Sequence, residues 1–387
     1  MALPLTYNLR NVLVRWRATL STILGIGLVV AVYVLVQSLA AGLEKSAGNT
    51  GDPRNLMLVR KGSTAESTSM VSIPQLQIIR YWPQIARDAT GAPLISADLI
   101  ALISQPRVDG RGEANVSVRG ISPQGMALRP QVKLLAGRWF MPGQREVAVS
   151  RKLARRFAGF QVGDTFRTGG HTLRVVGEFD GGNSAFDSEL WMDADEARSL
   201  FDRQEYSSLL VRAASPAAAR ELIARVEADK RLTLLATPEI KYYSDQTATA
   251  MPIRMLGGFL ALAMSLGAVF AAMNTMYASV GSRTREIGTL RVLGFRRRSI
   301  LAGFLVEGAL LAAIGGVLGC LLALPLHGVS TGTMSFNSFS ETVFEFRITP
   351  WLAAKGMIFA VLVGVAGSLL PAIRAARLPV ITALKSV

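Results

Sequence analysis

Four long runs with almost no charged residues constrain this chain more than any other feature. Two runs contain no charged residue and two contain one each; they cover residues 18–43, 255–282, 299–326 and 351–371. A run of about 18 or more apolar residues can cross the hydrocarbon core of a bilayer as one helix. We therefore expect an α-helical membrane protein with four transmembrane helices.

The first run could instead be a signal peptide, because Arg15 and Arg17 precede it and Ser-Leu-Ala lies near its end. The apolar core of a signal peptide has about 7–15 residues, and this run is longer. Three later spans also need an orientation in the membrane. We therefore expect an uncleaved span here.

The net charge of +15 is concentrated beside the runs. The segments 1–19, 278–299 and 373–387 hold twelve basic residues and one acid, whereas the short segment 328–350 holds one basic residue and two acids. Short basic segments stay on the cytoplasmic side of a membrane. We expect both termini in the cytoplasm and the large domain outside the inner membrane. Nucleic acid is not an expected partner, because the charges are divided among three segments beside the membrane.

These observations predict an order of segments along the chain. The prediction is a cytoplasmic amphipathic helix (1–19), span 1 (20–43), an outer domain (44–254), span 2 (255–278), a cytoplasmic helix with a basic loop (279–298), span 3 (299–327), a short outer loop (328–350), span 4 (351–373) and a cytoplasmic tail (374–387). The first helix is predicted because Leu5, Leu9, Val12 and Trp16 share one helical face.

The outer domain is predicted to be α+β. Apolar alternating runs at 55–60, 93–103, 114–121, 171–179 and 207–213 indicate strands. Ser215 before Pro216 and Asp193 before Glu196 indicate helix starts. The run GSTAESTSM, residues 62–70, is expected to be a mobile loop or a flexible insertion.

The sequence lacks the residues that several kinds of catalysis and cofactor binding require. The two histidines, His171 and His327, have no ligands beside them at metal-binding spacing, and a serine triad would have to use one of them. No Gly-Lys dipeptide occurs, so a phosphate-binding GxxxxGK[ST] loop is absent from these 387 residues. The single cysteine, Cys320, allows no disulfide within the chain. We expect no enzyme, no metal and no bound cofactor, with ATP and Mg²⁺ held by a partner chain if ATP drives the protein.

Three residues of the third run admit two interpretations each. Glu307 lies inside the span, where it either reaches back to the cytoplasmic arginines as a structural tether or acts in coupling or proton relay. Gly315 and Gly319 form a small-xxx-small face, which serves either packing within the subunit or a dimer contact.

The segment SRTREIGTLRVLGFRRR, residues 282–298, is predicted to contain a helix of about three turns. Ser282 is the expected N-cap, Glu286 lies in the first turn and Gly294 ends the helix. Ile287 and Leu290 share a face, with Leu293 at its edge, and this face is not needed to cross the membrane. The helix could lie on lipid, fix the topology as a basic hairpin, or bind a groove on a cytoplasmic partner.

This segment resembles the region after the second span in MacB/FtsX-type ABC transporter permeases, which has the form R-T-x-E-I-G-x-L-[RK]-x-L-G. The matching positions are Arg283, Thr284, Glu286, Ile287, Gly288, Leu290, Arg291, Leu293 and Gly294, with Arg285 between them and Glu307 at the position of the family's third-span acid. In the outer domain, VSVRGISP, LLAGRWF, REVAVSRKLA, FQVGDTF, LRVVGEFD and SELWMD resemble a MacB-like periplasmic core domain.

The resemblance implies a homodimeric permease with two copies of a separate ABC ATPase, and a coupling helix at 283–294 that docks into that ATPase. It also implies a porter lobe (45–105 and 206–250) with an inserted lobe (106–205), and export of a periplasmic or membrane-derived substrate by mechanotransmission. A periplasmic adaptor and an outer-membrane channel are further partners that it allows. The alternatives are a permease that releases lipoproteins and an FtsX-like regulator of an envelope enzyme or sensor.

Overall fold

A computed structural model describes residues 16–110, 112–246, 250–334 and 340–379. The chain divides into two compact units. The helical unit holds the described residues up to Ala41, Pro252–Val329 and those from Phe346 onward, and the α+β domain holds Gly42–Met251 and Ser330–Glu345. Most of the predicted N-terminal helix (1–19) and the end of the predicted tail (380–387) lie outside the described residues.

The helices and strands are numbered in chain order. They are α1 (Trp16–Gly48), β1 (Asn55–Arg60), α2 (Ile73–Arg80), β2 (Ile95–Pro106), β3 (Glu113–Ile121), β4 (Lys133–Gly137), β5 (Glu146–Ser150), α3 (Arg151–Ala154), β6 (Thr165–Thr168), β7 (His171–Asp180), β8 (Glu189–Asp193), α4 (Ala194–Leu200), β9 (Ser208–Arg212), α5 (Pro216–Ala228), β10 (Leu234–Pro238), α6 (Glu239–Gln246), α7 (Ala250–Ser282), α8 (Thr284–Val292), α9 (Arg297–Ala323), β11 (Ser330–Met334), β12 (Glu341–Glu345) and α10 (Pro350–Arg377).

Four of the described helices, α1, α7, α9 and α10, are long and apolar enough to cross a membrane. Together with the mixed domain they confirm the predicted fold class. The predicted helix starts in the domain are also confirmed, since the side chains of Asp193 and Ser215 accept hydrogen bonds from the amides of Glu196 and Ala218.

Small residues let the spans approach closely. A Cβ on Gly319 of α9 would lie 2.5 Å from the carbonyl oxygen of Gly27 in α1, and a Cβ on Gly315 would lie 3.0 Å from the carbonyl oxygen of Ile23. Both glycines therefore pack against α1 of the same chain. On another face of α9, a Cβ on Gly316 would lie 2.8 Å from the Cβ of Ala360 in α10. Such contacts replace the hydrophobic effect, which does not drive helix association in lipid.

The α+β domain is built on one ten-stranded sheet, in the order β10-β1-β9-β2-β3-β8-β5-β7-β4, with β6 paired to β7. The pairs β3/β8 and β5/β7 are parallel and the other pairs are antiparallel. The long strand β2 pairs with β9 along Ile95–Asp98 and with β3 along Leu99–Pro106. It therefore runs from strands of the predicted porter lobe to strands of the predicted inserted lobe.

A buried ion cluster lies beside the middle of β2. Arg119 of β3 donates to both oxygens of Glu66 and to both oxygens of Glu189, at 2.8–2.9 Å, and to Asp98 at 3.1 Å. Arg129 pairs with the same Asp98. The expectation that the run 62–70 is a mobile loop is wrong, because Ala65, Glu66 and Ser69 in that run are buried. Glu66 pairs with Arg119 inside the domain, and the hydroxyl of Ser69 accepts from the amide of Arg60 at 2.8 Å.

The segment between α9 and α10 forms a hairpin, β11–β12, that belongs to the α+β domain. Val343 of β12 is buried in the same apolar cluster as Leu153 and Phe157, and its amide donates to Ser188 Oγ at 2.7 Å. Glu341 pairs with Arg156 and, at 2.6 Å, with Arg107. The two acids of this segment thus dock the hairpin, Glu345 through Lys152 at 2.8 Å.

Candidate coupling site

The predicted coupling segment forms α8, a helix of nine residues between α7 and α9. Arg283 stands between α7 and α8 and is the N-cap residue. The prediction of Ser282 as N-cap is wrong, because α7 continues through Ser282, whose hydroxyl donates to the carbonyls of Ala278 and Ser279 at 3.0 Å. The Ser282 hydroxyl is therefore bonded within the last turn of α7 and does not cap the start of α8.

Gly294 ends α8 as predicted. Its φ of +91° lies in the left-handed region that glycine adopts without a steric penalty. The amide of Gly294 donates to the carbonyl of Arg291 at 3.2 Å, and the amide of Phe295 donates to the carbonyl of Leu290 at 3.1 Å. These two bonds form a Schellman motif. The chain can therefore reverse sharply and enter α9 at Arg297.

One face of α8 is buried against the spans. Ile287 is 2% exposed and packs with Met276 and Val280 of α7 and with Ile300 and Phe304 of α9. Gly288 on the same side is also buried. Ile287 therefore packs within the helical unit, so the apolar face predicted to be available to lipid or a partner is partly covered by the chain itself. Periodicity identified an apolar face but could not identify the surface that covers it.

The opposite face of α8 is exposed and carries both apolar and polar or charged side chains. It carries five exposed residues at helical spacing, namely Arg285, Glu286, Thr289, Val292 and Leu293. Val292 is 62% exposed and Leu293 is 67% exposed. Two large apolar side chains beside an arginine and an acid form a surface suited to a protein groove. We call these five residues the exposed stripe.

A buried ion pair attaches the start of α8 to the third span. Nη1 of Arg283 donates to Oε2 of Glu307 in α9 at 2.9 Å, and the two side chains are 5% and 7% exposed. Nε of Arg283 also reaches Glu286 at 3.4 Å, and the guanidinium lies 5.3 Å from the centre of the Phe304 ring. Glu307 therefore bonds to the coupling segment.

The other predicted residues divide between the site and the spans. Thr284 Oγ1 donates to the carbonyl of Gly281 at 2.8 Å, Leu290 is half-buried, and Arg291 Nη1 donates to the carbonyl of Phe295 at 3.2 Å. Gly315 and Gly319 lie on α9 against α1, away from α8. Both are packing residues within one chain.

Two contributors to the site were not predicted from the sequence. Phe304 stacks on Arg283, and Arg374 of α10 lies 5.7 Å from the centre of the Tyr277 ring in α7. The position of Phe304, one turn before Glu307, was a signal that an aromatic residue shares the face of the acid. Arg374 carried no comparable signal, because its partner is about 100 residues away.

The residues that the structure describes contain no group of three or more histidine, cysteine or acidic side chains that could hold a metal ion. The site is one of helix packing, one buried ion pair and an exposed stripe.

Two family profiles match nearly the whole chain. The MacB-like periplasmic core domain matches residues 18–229, and the FtsX-like permease C-terminal region matches residues 258–380. The second match contains α8 and Glu307.

Individual relatives extend the comparison. The macrolide export ATP-binding/permease protein MacB of Pasteurella multocida is 26% identical over 95% of this chain and 57% of its own length. The uncharacterized ABC transporter permease YknZ of Bacillus subtilis is 26% identical over 70% of each chain. The solved periplasmic region of MacB from Actinobacillus actinomycetemcomitans has 13% identity and a TM-score of 0.38, covering 49% of this chain and 91% of that one. The chain spans about half the length of the macrolide exporters that it matches.

Proposed function

The chain belongs to the MacB/FtsX-like family of ABC transporter permeases, and from this we propose that it is a permease subunit that transmits ATP-driven motion of a separate ATPase to its α+β domain. The proposed outcome is export or extrusion of a periplasmic or membrane-derived substrate. The subunit itself would be non-catalytic. We place it in the inner membrane with both termini cytoplasmic, because the basic segments flank α8 and the chain ends.

The observation that carries this proposal is the division of α8 into two faces. The buried face, through Ile287 and the pair Arg283–Glu307, joins α8 to α7 and α9. The exposed stripe leaves Val292 and Leu293 uncovered. A partner bound to the stripe would move α8, and the buried face would pass that movement to two spans at once.

The proposed partner of the stripe is an ABC ATPase. These 387 residues contain no Gly-Lys dipeptide and so no phosphate-binding loop of the GxxxxGK[ST] form. ATP and Mg²⁺ would be held by the ATPase. Family resemblance supports a complex of two permease copies and two ATPase copies. An adaptor and an outer-membrane channel are partners that rest on the same resemblance alone.

The proposed output is the α+β domain. All four spans connect to it through the chain, α1 and α7 at its two ends and α9 and α10 through the docked hairpin β11–β12. The one acid deep in the span sequences, Glu307, is paired with Arg283. This pairing favours transmission of force across the membrane over a polar path for substrate within one subunit.

The test is affinity purification of the tagged full-length chain from native membranes, with identification of the proteins that co-elute. An ABC ATPase should co-elute with the wild type, and Leu293→Glu should reduce its recovery at least about tenfold, since losing about 1.4 kcal/mol of binding free energy has this effect. Val162→Glu, which alters an exposed apolar residue of the α+β domain, is the matched control. Absence of an ATPase, or equal recovery with Leu293→Glu, would contradict the proposal.

The alternatives within the family predict different partners of the α+β domain. Crosslinking of this domain to an acylated protein would indicate lipoprotein release. An envelope enzyme or sensor whose activity follows ATP hydrolysis, without a transported molecule, would indicate a regulator. Cys320→Ser removes the single cysteine, so crosslinkers can then be placed at chosen positions of the domain.

A further inference from the structure

The chain segments that enter and leave the α+β domain cross at Gly51. One segment follows α1, and the other begins α6, which precedes α7. A Cβ on Gly51 would lie 2.7 Å from the backbone nitrogen of Ile240 and 3.0 Å from the carbonyl carbon of Glu239. The two backbones are thus in direct contact, and only glycine permits this approach.

A single carboxyl group joins the two segments at this crossing. Oε2 of Glu239 accepts hydrogen bonds from the Asp52 amide and from Nδ2 of Asn55, both at 2.9 Å. Glu239 is 1% exposed and Asn55 is fully buried. Asn55 is itself held by Leu128, whose carbonyl accepts from Nδ2 at 3.1 Å.

The other oxygen of this carboxyl group has an unfavourable environment. Oε1 of Glu239 is buried, and among the described residues none forms a hydrogen bond with it. A buried charge without a hydrogen-bond donor is costly. A neutral carboxylic acid at this position avoids that cost.

The charged groups around Glu239 only partly offset the effect of burial on its pKa. Those that face it from the packed elements are Arg129, Arg212, Glu66, Asp52 and Tyr243. The arginines are already engaged, Arg129 with Asp98 and Arg212 with Asp52. Burial is the largest influence and raises the pKa of Glu239 to about 7.

We propose that protonation of Glu239 controls the contact between the segments that lead to the first and second spans. In the closed state the carboxyl group is neutral and the segments are in contact, and in the open state it is ionised and they separate locally. In the closed state Oε2 keeps both bonds across the crossing. When the group ionises, Oε1 gains charge and requires donors, which only water admitted by local separation of the segments can supply. This inference concerns the α+β domain itself and goes beyond the proposed role in ATP-driven transport.

Hydrogen–deuterium exchange of the full-length protein in nanodiscs at pH 6 and pH 8 tests the proposal. Each rate is divided by the intrinsic rate at that pH to give a protection factor. The pKa of Glu239 is about 7 in the closed state and returns toward its ordinary, lower value in the open state. This difference changes the opening equilibrium about tenfold between pH 6 and pH 8. Protection of peptides covering 50–56 and 239–246 should therefore be about tenfold lower at pH 8.

Glu239→Gln should remove this pH dependence, whereas Glu227→Gln, which alters an exposed acid on α5, should retain it. Peptides of α5 (Pro216–Ala228) provide an internal reference in every sample. Equal protection at both pH values, a drop retained in Glu239→Gln, or an equal drop in α5 would each overturn the proposal. If Glu239→Gln fails to fold, the wild-type protein decides the question. The measurement is then the change, between pH 6 and pH 8, in the ratio of the protection factors of the α6 and α5 peptides.

Discussion

Arg283 Nη1 and Glu307 Oε2 lie 2.9 Å apart, and neither side chain is more than 7% exposed. Glu307 is ten residues into α9, about 15 Å along the helix from its start. The pair therefore connects the beginning of α8 with the interior of a span. Ile287 and Phe304, which flank the pair in sequence, are buried in one apolar cluster.

Truncation of one partner should destabilise the helical unit. Glu307→Ala removes the 2.9 Å acceptor of a buried guanidinium, and we expect a loss of about 3–5 kcal/mol, as for other broken buried pairs. The measurement is thermal unfolding of the detergent-solubilised protein, monitored by size-exclusion chromatography. Glu286→Ala is the control, because its side chain is 57% exposed and such surface pairs contribute less than about 1 kcal/mol. Equal melting temperatures for Glu307→Ala and the control would refute this role of the pair.

A methyl group at Gly319 should separate α9 from α1. In Gly319→Ala the new Cβ would meet the carbonyl oxygen of Gly27 at 2.5 Å, closer than van der Waals contact. Overpacking of this kind costs about 1–3 kcal/mol. Gly267→Ala in α7 is the matched control, since a Cβ there would have no neighbouring atom within 4 Å among the described residues and alanine favours the helix. The same unfolding assay compares the two variants, and a stabilised Gly319→Ala would show that the helices do not touch here.

Loss of Glu341 should release the hairpin. Glu341→Ala removes the acceptor of Arg107 and Arg156, both of which are partly exposed and can be rehydrated. We therefore expect a moderate cost of about 1–3 kcal/mol, confined to the hairpin. Faster hydrogen exchange of residues 340–345, with unchanged exchange in β3 and β8, is the expected signature. Glu345→Ala should have a smaller effect, because Glu345 is 30% exposed.

Removal of Arg119 should change the pH dependence of the stability of the α+β domain. Burial alone would raise the pKa of Glu66, but the charge of Arg119 lowers it below its ordinary value, so this group stabilises the wild type above about pH 4.5 and loses that contribution as the pH falls. In Arg119→Met two buried acids, Glu66 and Glu189, lose their arginine partner while Asp98 keeps Arg129, and we expect a loss of about 3–5 kcal/mol at pH 7.

Because the acids of Arg119→Met are then stabilised by protonation, this variant should gain more stability than the wild type as the pH falls from 7 to 5. Arg145→Met, which breaks an exposed pair with Glu196, is the control and should follow the wild type. Thermal unfolding across this pH range measures both slopes. A parallel pH profile for Arg119→Met and wild type would exclude Arg119 as the centre of the ion cluster.

The spans, five of the twelve described strands (β1, β2, β3, β7 and β9) and the left-handed end of α8 could be predicted from the sequence, because each depends on local composition. Gly294 after Leu293 is such a case, since a left-handed residue needs glycine whatever surrounds it. The burial of Ile287 could not be predicted, because an amphipathic helix has the same pattern whether its apolar face packs inside the chain or on a partner. Glu66 and Glu341 were missed for a related reason, since their arginine partners are 53 and 185 residues away.

Strand β2 limits how the α+β domain can deform. Four of its residues pair with β9 and the next eight pair with β3, without an interruption between the two sets. A flexible linker would let the two ends of the sheet rotate independently, but here the two sets of backbone hydrogen bonds follow each other along one strand. We therefore expect a load placed on one end of the sheet to reach the other end as twisting of β2, without a hinge between the two ends.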